Sequence, residues 1–457
     1  MTIDLTEQFQ RALDAMESTS RNIFITGRAG TGKSTLLDYF RNNTRKKIVV
    51  LAPTGVAAIN VKGQTIHSFF GFKPDITVNK AKRIAQSNDD DIYKNLDAIV
   101  IDEISMVRAD LMDCVDTFMR IKGKTKHMPF GGVQMIMIGD LYQLPPIVTT
   151  HEKEMFEGFY ETPYFFSAKG WSNDHNLFNS ASVFDMDAFA LETIYRQKDE
   201  QFISILNAIR DTIIGQEMLS VLNTRVDHDF QPPQKERYVT LTTTNKNAAQ
   251  INTAELDKRP GREYTLHGTI KGSIEDRDLP TDTVLRVKKG AQIMMLNNDP
   301  DRQWVNGSIG VIEDITNTNT NVVFGDEEES DGEIETEIIV RLENGHLVNV
   351  TRHRWDIFKF SYDTSAGNII SEPVASFTQY PLKLAWAITI HKSQGKTFHR
   401  VIVDMERGAF SAGQTYVALS RCTSLNGLVL RKPIRGSYCW IDQRVVHFMQ
   451  QIGLGTL

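Results

Sequence analysis

The stretch Asn22-Ile-Phe-Ile-Thr-Gly-Arg-Ala-Gly-Thr-Gly-Lys-Ser34 runs from an apolar segment into a glycine-rich turn that ends in Gly-Lys-Ser. Its second half, Gly27 to Ser34, fits the spacing of a phosphate-binding loop between a strand and a helix. In such a loop, main-chain N–H groups and the helix N-terminus surround phosphate oxygens. The stretch therefore predicts a strand, a nucleotide-binding loop and a helix that open an α/β core.

The loop residues have distinct predicted roles in binding ATP. Lys33 neutralises the terminal phosphates, and the Ser34 hydroxyl is a ligand for Mg²⁺. The predicted nucleotide contacts of the loop are Gly30, Thr31, Gly32, Lys33, Ser34 and Thr35.

Further apolar segments repeat the strand pattern along the chain. In the first half they are Ile48–Ala52, Ala98–Ile101 and Gln134–Ile138, and after Tyr195 they are Tyr238–Leu241, Val401–Val403 and Leu428–Leu430. Strands that are apolar nearly throughout indicate parallel sheets covered on both faces. The second set has no phosphate loop of its own. We therefore expect two α/β cores, of which the first binds the nucleotide.

Two segments interrupt these cores. Residues 290–380 alternate apolar and polar residues and contain Asn306-Gly307 and Asn344-Gly345, which are hairpin signals, so this segment is predicted to be an inserted β-barrel. Residues 72–93 are polar and charged. The predicted domains are a first core at 1–71 and 94–190, a short insertion into it at 72–93, a second core at 191–289 and 381–457, and the barrel at 290–380.

Composition excludes several classes of protein. No apolar run approaches the roughly 18 residues of a membrane span, and the first residues lack the pattern of an export signal, so we expect a cytoplasmic protein. The three cysteines are too far apart for a disulfide framework or a zinc site. The formal charge of −6 is concentrated in residues 326–337, whose eight carboxylates predict a solvated hairpin tip, and the remainder of the chain carries +2.

The acid pair after the segment Ala98–Ile101 indicates the reaction. Asp102 is placed to hold Mg²⁺, and Glu103 to orient and deprotonate the attacking water. A hydrolase must activate water and a small-molecule kinase must not, so the pair favours hydrolysis. Gln143, in the segment Gly139–Pro146, is a candidate sensor of the γ-phosphate, although an ordinary turn is the alternative.

The chain resembles the superfamily 1B DNA helicases, and within them the petite-integration-frequency family, through blocks that occur in the family's order. These blocks are Gly30–Thr35, Ala52–Ala58, Gly63–Phe69, Ile101–Met106, Pro129–Gln134 with Gly139–Pro146, Leu191–Gln197, Trp386–Gly395 and Tyr416–Arg421. The resemblance implies two RecA-like domains, an SH3-like fold for the barrel, and an ATP-dependent helicase that moves 5′ to 3′ on single-stranded DNA. It fades in the barrel after Asn306-Gly307.

The resemblance also implies roles for residues outside the phosphate loop. Gln8 would read adenine, with a helix-capping or solvent-facing glutamine as the alternative. Arg196 and Arg421 would reach from the second core to the γ-phosphate as arginine fingers, with a surface ion pair as the alternative. Gln394 and Gly395 would complete the nucleotide contacts.

A DNA track along both cores is the last implication of the resemblance. A translocating motor needs phosphate contacts that carry no sequence information and places for bases to stack. The predicted track residues are Thr54, Gly55, Thr65, His67, Ser68 and Phe69 in the first core, and Thr243, Asn245, His391, Lys392 and Ser393 in the second. Phe69 would stack on a base or pack in the core, and His391 has a buried structural histidine as its alternative. The resemblance also implies that the insertion at 72–93 is a wedge that splits the duplex, and that the barrel covers the strand.

These features favour an unwinding motor over a clamp that uses ATP only to regulate its grip, and over a small-molecule kinase. The predicted partners are single-stranded DNA, tailed duplex or fork DNA and other replication or repair proteins, for a monomer with no membrane association. The corresponding processes are replication, repair, recombination and telomere-type maintenance, with G-quadruplexes among the candidate substrates. In a bacterium the protein would associate with the nucleoid.

Overall fold

The computed structural model describes residues 6–148, 150–171, 186–193, 195, 197, 199–233, 236–274, 279–319, 334–363, 368–406 and 408–454. Within these ranges the chain forms two parallel β-sheets and a β-rich antiparallel insertion. The predicted α/β fold class with two parallel-sheet cores is therefore confirmed.

The first sheet is parallel throughout, and the phosphate loop follows the carboxyl end of its strand β1. Its strands are β1 (Asn22–Gly27), β2 (Ile48–Ala52), β3 (Gln64–Thr65), β4 (Ala98–Ile101), β5 (Gln134–Ile138) and β6 (Met186–Leu191), in the spatial order β3-β2-β4-β5-β1-β6. Every residue of β4 and β5 is buried, as expected for a sheet with helices on both faces. Because the loops after β1, β4 and β5 leave the same edge, the residues that follow these strands meet there.

Short amphipathic helices cover this sheet. They are α1 (Glu7–Ser18), α2 (Lys33–Asn43), α3 (Gly55–Asn60), α4 (Ile66–Phe70), α5 (Val78–Ser87), α6 (Ile92–Asn95), α7 (Ala109–Lys122) and α8 (Thr150–Glu157). In α1, the Thr6 hydroxyl accepts a hydrogen bond from the N–H of Phe9, and Phe9, Leu13 and Met16 are buried. A polar cap followed by apolar residues at helical spacing thus specifies where α1 begins and which face packs on the sheet.

The remainder of the chain forms the second core, the insertion and a last helix that packs on the first core. Its helices are α9 (Glu200–Arg210), α10 (Gln216–Asn223), α11 (Asn245–Asp257), α12 (Gln414–Leu419) and α13 (Gln443–Gln451). Its strands are β7 (Val239–Thr242), β8 (Glu263–His267), β9 (Thr269–Lys271), β10 (Val284–Lys288), β11 (Gln292–Met295), β12 (Ile309–Asn319), β13 (Ile334–Leu342), β14 (Leu347–Val350), β15 (His353–Asp363), β16 (Asn368–Gln379), β17 (Leu382–Leu384), β18 (Ala387–Thr389), β19 (Val401–Asp404) and β20 (Leu428–Leu430). The second parallel sheet has the order β18-β7-β19-β20.

The insertion has a core of its own and also contacts the first core. Antiparallel strands in the order β14-β13-β12-β11-β17 enclose a cluster that includes Ile293, Trp304 and Val340. The hairpin of β15 and β16 reaches the first core, where Phe360 joins the apolar cluster and its N–H donates to Gln64 Oε1 at 3.1 Å. The hairpin therefore spans from the insertion to the nucleotide-binding half of the molecule.

Several elements differ from the sequence expectation. Strands β3, β6 and β18 were not predicted, because each is short or incompletely buried and lacks a continuous apolar run. The Asn344-Gly345 turn joins β13 and β14 as predicted. Asn306-Gly307 instead lies at the end of a longer loop between β11 and β12, where the N–H of Gly307 donates to Met295 O.

Other expectations concern larger segments. Helix α13, which the predicted boundaries assign to the second core, packs on the first, where Phe448 stacks on Phe166 with ring centroids 4.1 Å apart.

Most of the acidic run at 326–337 lies outside the described residues, although the strands β12 and β13 that flank it do pair. Cys114, Cys422 and Cys439 are buried and unpaired. Within the described part of the chain, no helix combines the length and apolar character needed to cross a bilayer.

Candidate nucleotide site and nucleic-acid track

The phosphate loop between β1 and α2 has the backbone that its glycines allow. Gly30 and Gly32 have φ of 85° and 87°, a region that residues with a Cβ rarely adopt. Gly32 caps α2, so the main-chain N–H groups of the first helical turn face the loop. Lys33 Nζ donates to the carbonyls of Gly27 and Arg28 at 2.7 and 3.0 Å. The ammonium group is thus held over the loop, where terminal phosphates bind in this motif.

Asp102 and Glu103 directly follow β4 at the same edge of the sheet. The N–H of Asp102 donates to Leu51 O at 2.9 Å, which continues the pairing of β4 with β2, and the charge of Lys33 in the phosphate loop acts on the carboxyl. Glu103 has a left-handed backbone, with φ 51° and ψ 44°. A non-glycine residue in this region is strained and turns its side chain away from the strand direction. The turn at Glu103 and Ile104 packs closely against Gly139. A Cβ at position 139 would lie 2.9 Å from Ile104 Cγ2, so glycine leaves the space that this turn needs.

The chemistry of Asp102 suits a divalent cation. Burial, and secondly the neighbouring charge of Glu103, raise the pKa of Asp102 to about 7, while Lys33 acts in the opposite direction. A buried carboxylate of this kind is stabilised in its charged form by a bound cation. Ser34 lies exposed on the first turn of α2. One carboxylate, one hydroxyl and phosphate oxygens form a ligand set that Mg²⁺ accepts.

The Gly139–Pro146 segment joins the two cores at Gln143. The Gln143 side chain is buried and donates to Asp140 Oδ2 at 3.3 Å, and Gln394 Nε2 of the second core donates to Gln143 Oε1 at 3.4 Å. Leu144 packs in the apolar cluster of the second core. Gln143 therefore lies in an inter-core contact rather than in an isolated turn.

The second core approaches the phosphate loop through α12. Tyr416 is buried, and its hydroxyl accepts a hydrogen bond from the N–H of Ala29 at 3.2 Å. Arg421 is 1% exposed, and its guanidinium donates within its own core to the carbonyl oxygens of Val417, Ser393 and Lys396 and to Ser420 Oγ. This environment differs from the surface ion pair considered as the alternative role. Arg196 lies outside the described residues.

The predicted adenine reader Gln8 pairs with the chain that leaves the first core. Its amide donates to Glu192 Oε2 at 2.8 Å and accepts from the N–H of Glu192 at 3.1 Å. Tyr195, three residues after Glu192, contacts the phosphate loop, because its N–H donates to Gly30 O at 2.9 Å and its ring lies next to Gly32. Tyr195 is 57% exposed, so its ring is accessible beside the loop.

The first-core track residues lie at helix N-termini. Thr54 and Thr65 cap α3 and α4, and their hydroxyls accept from the N–H groups of Ala57 and Ser68. Gly55 and His67 lie in the first turns of these helices. Ser68 Oγ accepts from Gln64 Nε2 at 2.9 Å. The predicted residues therefore occur together at two adjacent helix starts, where anions bind favourably.

Phe69 is a core residue in this structure. Its ring is 5% exposed and packs edge-on against Phe70, Tyr93 and Phe360, with centroids 4.9, 5.3 and 6.2 Å away. The Tyr93 hydroxyl donates to Phe69 O at 2.8 Å. Of the two roles predicted for Phe69, core packing is the one this arrangement supports, because a buried ring presents no face to a base.

The second-core track residues follow β7 and β18, which are adjacent in the sheet. Thr243 is buried, whereas Asn245 is exposed at the start of α11. His391 is half-buried, and burial lowers its pKa. Lys392 is exposed, whereas Ser393 is fully buried with its hydroxyl donating to Ile390 O at 2.6 Å. Asn245 and Lys392 are thus the side chains most accessible to a strand.

Some residues at the site received no role from sequence. Tyr416 and Tyr195 lie within recognised blocks, yet their contacts with the phosphate loop depend on how the cores pack. Asp140 and Arg210 form an inter-core pair, with Arg210 Nη2 3.4 Å from Asp140 Oδ1. No spacing rule links Ala29 to a tyrosine 387 positions later.

The geometry defines the class of protein. Two parallel-sheet cores meet over one phosphate loop that is followed by an Asp-Glu pair, which is the arrangement of a tandem RecA-like phosphate-loop nucleotide hydrolase. Comparison with known proteins agrees. The PIF1-like helicase family model matches residues 2–218. The chain is 31% identical to the ATP-dependent DNA helicase Pif1 of Bdellovibrio bacteriovorus, over 98% of this chain and 92% of that protein.

A second relative and two solved structures complete the comparison. Human ATP-dependent DNA helicase PIF1 is 32% identical over 95% of this chain, which spans 62% of the human protein. The Bacteroides sp Pif1 complex with ADP-AlF4 has a TM-score of 0.82 at 31% identity, covering 98% of this chain and 97% of that one. Bacteroides Pif1 bound to ssDNA, with the same identity and coverage, has a TM-score of 0.63. The chain belongs to the PIF1-like helicase family.

Proposed function

We propose that this chain is an ATP- and Mg²⁺-dependent DNA helicase that moves 5′ to 3′ on single-stranded DNA and unwinds duplex or structured DNA. Family membership supports the class of activity. The observation that carries the mechanism is the pair of contacts across the cleft, from Tyr416 to Ala29 and from Gln394 to Gln143. They join the second core directly to the loops that contact phosphate in this motif.

The residues of the nucleotide site have different roles in this proposal. Asp102 and Ser34 would hold Mg²⁺, which when bound would neutralise charge on the phosphates. Glu103 orients the attacking water and accepts its proton. Arg421 and Arg196 stabilise the negative charge that develops during phosphoryl transfer, and Gln8 with Tyr195 holds the base. Gln394 and Gly395 lie at the second-core side of the nucleotide.

Hydrolysis becomes movement because the phosphate-contacting groups belong to both cores. When the γ-phosphate is lost, the groups that bridge it lose their shared partner and the cleft relaxes. The track residues Thr54, Thr65, Asn245 and Lys392 grip phosphates through hydroxyl, amide, ammonium and main-chain donors, none of which selects a base. The two cores then alternate in holding one strand.

The working substrates in this proposal are tailed duplexes, forks and G-quadruplexes. A monomer acts at them in replication, repair, recombination or telomere-type maintenance, together with other replication or repair proteins. The segment at 72–93 serves as the wedge, and the β-rich insertion covers the strand.

A strand-displacement assay tests the proposal. Duplexes with a 5′ tail, a 3′ tail or blunt ends are incubated with and without ATP and Mg²⁺, and the Lys33→Ala variant serves as control. We expect separation only of the 5′-tailed duplex and only with ATP and Mg²⁺. Separation from a 3′ tail would contradict the polarity. Nucleotide-dependent DNA binding without separation would identify a clamp.

A further inference from the structure

Arg210, the last residue of α9, is a buried cation that points from the second core into the first. Its side chain is 12% exposed, and Nη2 lies 3.4 Å from Asp140 Oδ1, whose side chain is fully buried. The guanidinium carbon lies 3.8 Å from the centroid of the Tyr142 ring. The guanidinium is therefore held on two sides by the Gly139–Pro146 segment of the other core, one contact ionic and one aromatic.

Asp140 connects this arginine to Gln143. One carboxylate oxygen of Asp140 receives Arg210 and the N–H of Tyr142, and the other receives the Gln143 amide at 3.3 Å. The opposite end of that amide accepts from Gln394 at 3.4 Å. Gln143 is thus held between two second-core side chains, one reaching it directly and the other through Asp140.

The contacts of Arg210 leave room for closer pairing. The Arg210–Asp140 distance is long for a charge-assisted hydrogen bond, which is typically about 2.7–2.9 Å. Arg210 Nε is buried and has no hydrogen-bond partner among the described residues. Asp211 lies 3.6 Å from Arg210 and also 3.8 Å from Arg28 of the phosphate loop. A small shift of α9 would therefore tighten or release contacts to both nucleotide-binding loops.

We propose that Arg210 is a positioning residue which, through Asp140, orients the Gln143 amide and so couples the spacing of the two cores to the state of the phosphate loop. The proposal rests on the proposed ATP-driven function and adds a specific coupling residue to it. Lysine is a poor substitute, because its ammonium cannot both lie flat on Tyr142 and pair with Asp140.

Three variants separate this role from simple stabilisation. Arg210→Met removes the charge, Arg210→Lys keeps it without the planar group, and Arg225→Met is the matched control. Arg225 is a second-core arginine that donates to the main-chain carbonyls of Leu428 and Asn426 within its own core. Thermal unfolding of each variant reports the stability change alone.

The coupling is read as the ratio of dissociation constants for a fluorescent oligothymidine with and without a non-hydrolysable ATP analogue and Mg²⁺. We expect Arg210→Met to bring this ratio at least about fivefold closer to one, the lower end of typical inter-site coupling. DNA-stimulated kcat falls, whereas KM for ATP changes less. Arg210→Lys gives an intermediate ratio, and Arg225→Met retains the wild-type ratio despite a lower melting temperature.

A double mutant tests the route through Asp140. If Arg210 acts through that carboxylate, Arg210→Met with Asp140→Asn changes the ratio no more than the larger single change does. A wild-type ratio in Arg210→Met, an equal loss in Arg225→Met, or an additive double mutant would overturn the proposal. Failure of the helicase proposal is distinguishable, because the wild type would then bind DNA in a nucleotide-dependent manner without separating strands.

Discussion

The two parallel cores bring different kinds of groups to the same cleft. The first contributes loops that directly follow its strands, and their main-chain N–H groups, Lys33 and Asp102 are positioned by local geometry. The second contributes single side chains from helices and turns, among them Tyr416, Gln394 and Arg210. In the proposed mechanism, the first core therefore binds phosphate and the second responds to what is bound. Variants on the two sides should fail in different ways.

The largest expected effect is on the binding side. Lys33→Ala should abolish measurable ATP hydrolysis and unwinding, because the other cation of the loop, Arg28, is paired with Asp211 of the second core and does not replace the ammonium beside the terminal phosphates. The melting temperature should stay near the wild-type value, since the ammonium lies over loop carbonyls and outside the apolar core. Hydrolysis assays with single-stranded DNA and thermal melting test both statements. Retained unwinding would contradict the assignment of the site.

Variants of second-core residues at the cleft should lower the turnover number for ATP and leave nucleotide affinity nearly unchanged. Arg421→Lys is expected to lower kcat by about 10³-fold, the lower end for a lost arginine finger, while ATP affinity changes by less than about threefold. Steady-state hydrolysis and nucleotide titration measure these quantities. Arg225→Lys is the control, because Arg225 is another second-core arginine that donates to main-chain carbonyls of its own core. A lower melting temperature with unchanged kcat would indicate that Arg421 only supports the carbonyls of Val417 and Ser393.

A smaller effect is expected at Gly413, where the two cores contact each other and no nucleotide contact is predicted. Gly413 has φ 68°, and a Cβ there would lie 2.6 Å from Gln143 O. Gly413→Ala should cost about 1–3 kcal/mol in the closed arrangement and lower kcat about tenfold or more. Gly215→Ala is the control, because a Cβ at Gly215 meets nothing within 4 Å. Equal kcat values in the two variants would show that the contact is not needed for turnover.

The smallest expected effect concerns pH on the binding side. Because burial and Glu103 raise the pKa of Asp102 to about 7, the carboxyl holds its proton below that pH. Mg²⁺ must displace this proton, so its affinity should rise with pH up to about 7 and level off above it. Calorimetric Mg²⁺ titration in the presence of ADP should show about tenfold weaker binding at pH 6 than at pH 8. Asp102→Asn should remove the difference.

Local chemistry explains what the sequence could predict. The phosphate loop, the Asp-Glu pair and the helix-capping threonines depend on neighbours within a few residues, so their positions follow from motif and spacing. The two parallel sheets follow from apolar runs. Strands such as β6 and β18 could not be predicted in the same way, because β6 is incompletely buried and β18 has only three residues, and both form through pairing with distant strands.

Packing between distant segments explains the rest. Whether Phe69 stacks on a base or fills the core depends on Tyr93 and on Phe360 of the insertion, which no pattern around Phe69 encodes. The same applies to the Tyr416 hydroxyl at Ala29 and to Arg210 at Asp140. The site was therefore predictable on the side that binds phosphate and largely hidden on the side that responds to it.

Helix α13 has a mechanical consequence. The chain crosses from the first core to the second between Leu191 and Phe202, and crosses back between Cys439 and Ile441, after which Phe448 packs against Phe24 and Phe166. Two covalent connections therefore join the two lobes. Rotation of one lobe about the line through both connections strains neither of them, whereas twisting or sliding would displace one connection relative to the other. We expect the two connections to favour rotation about that line over other relative movements of the lobes.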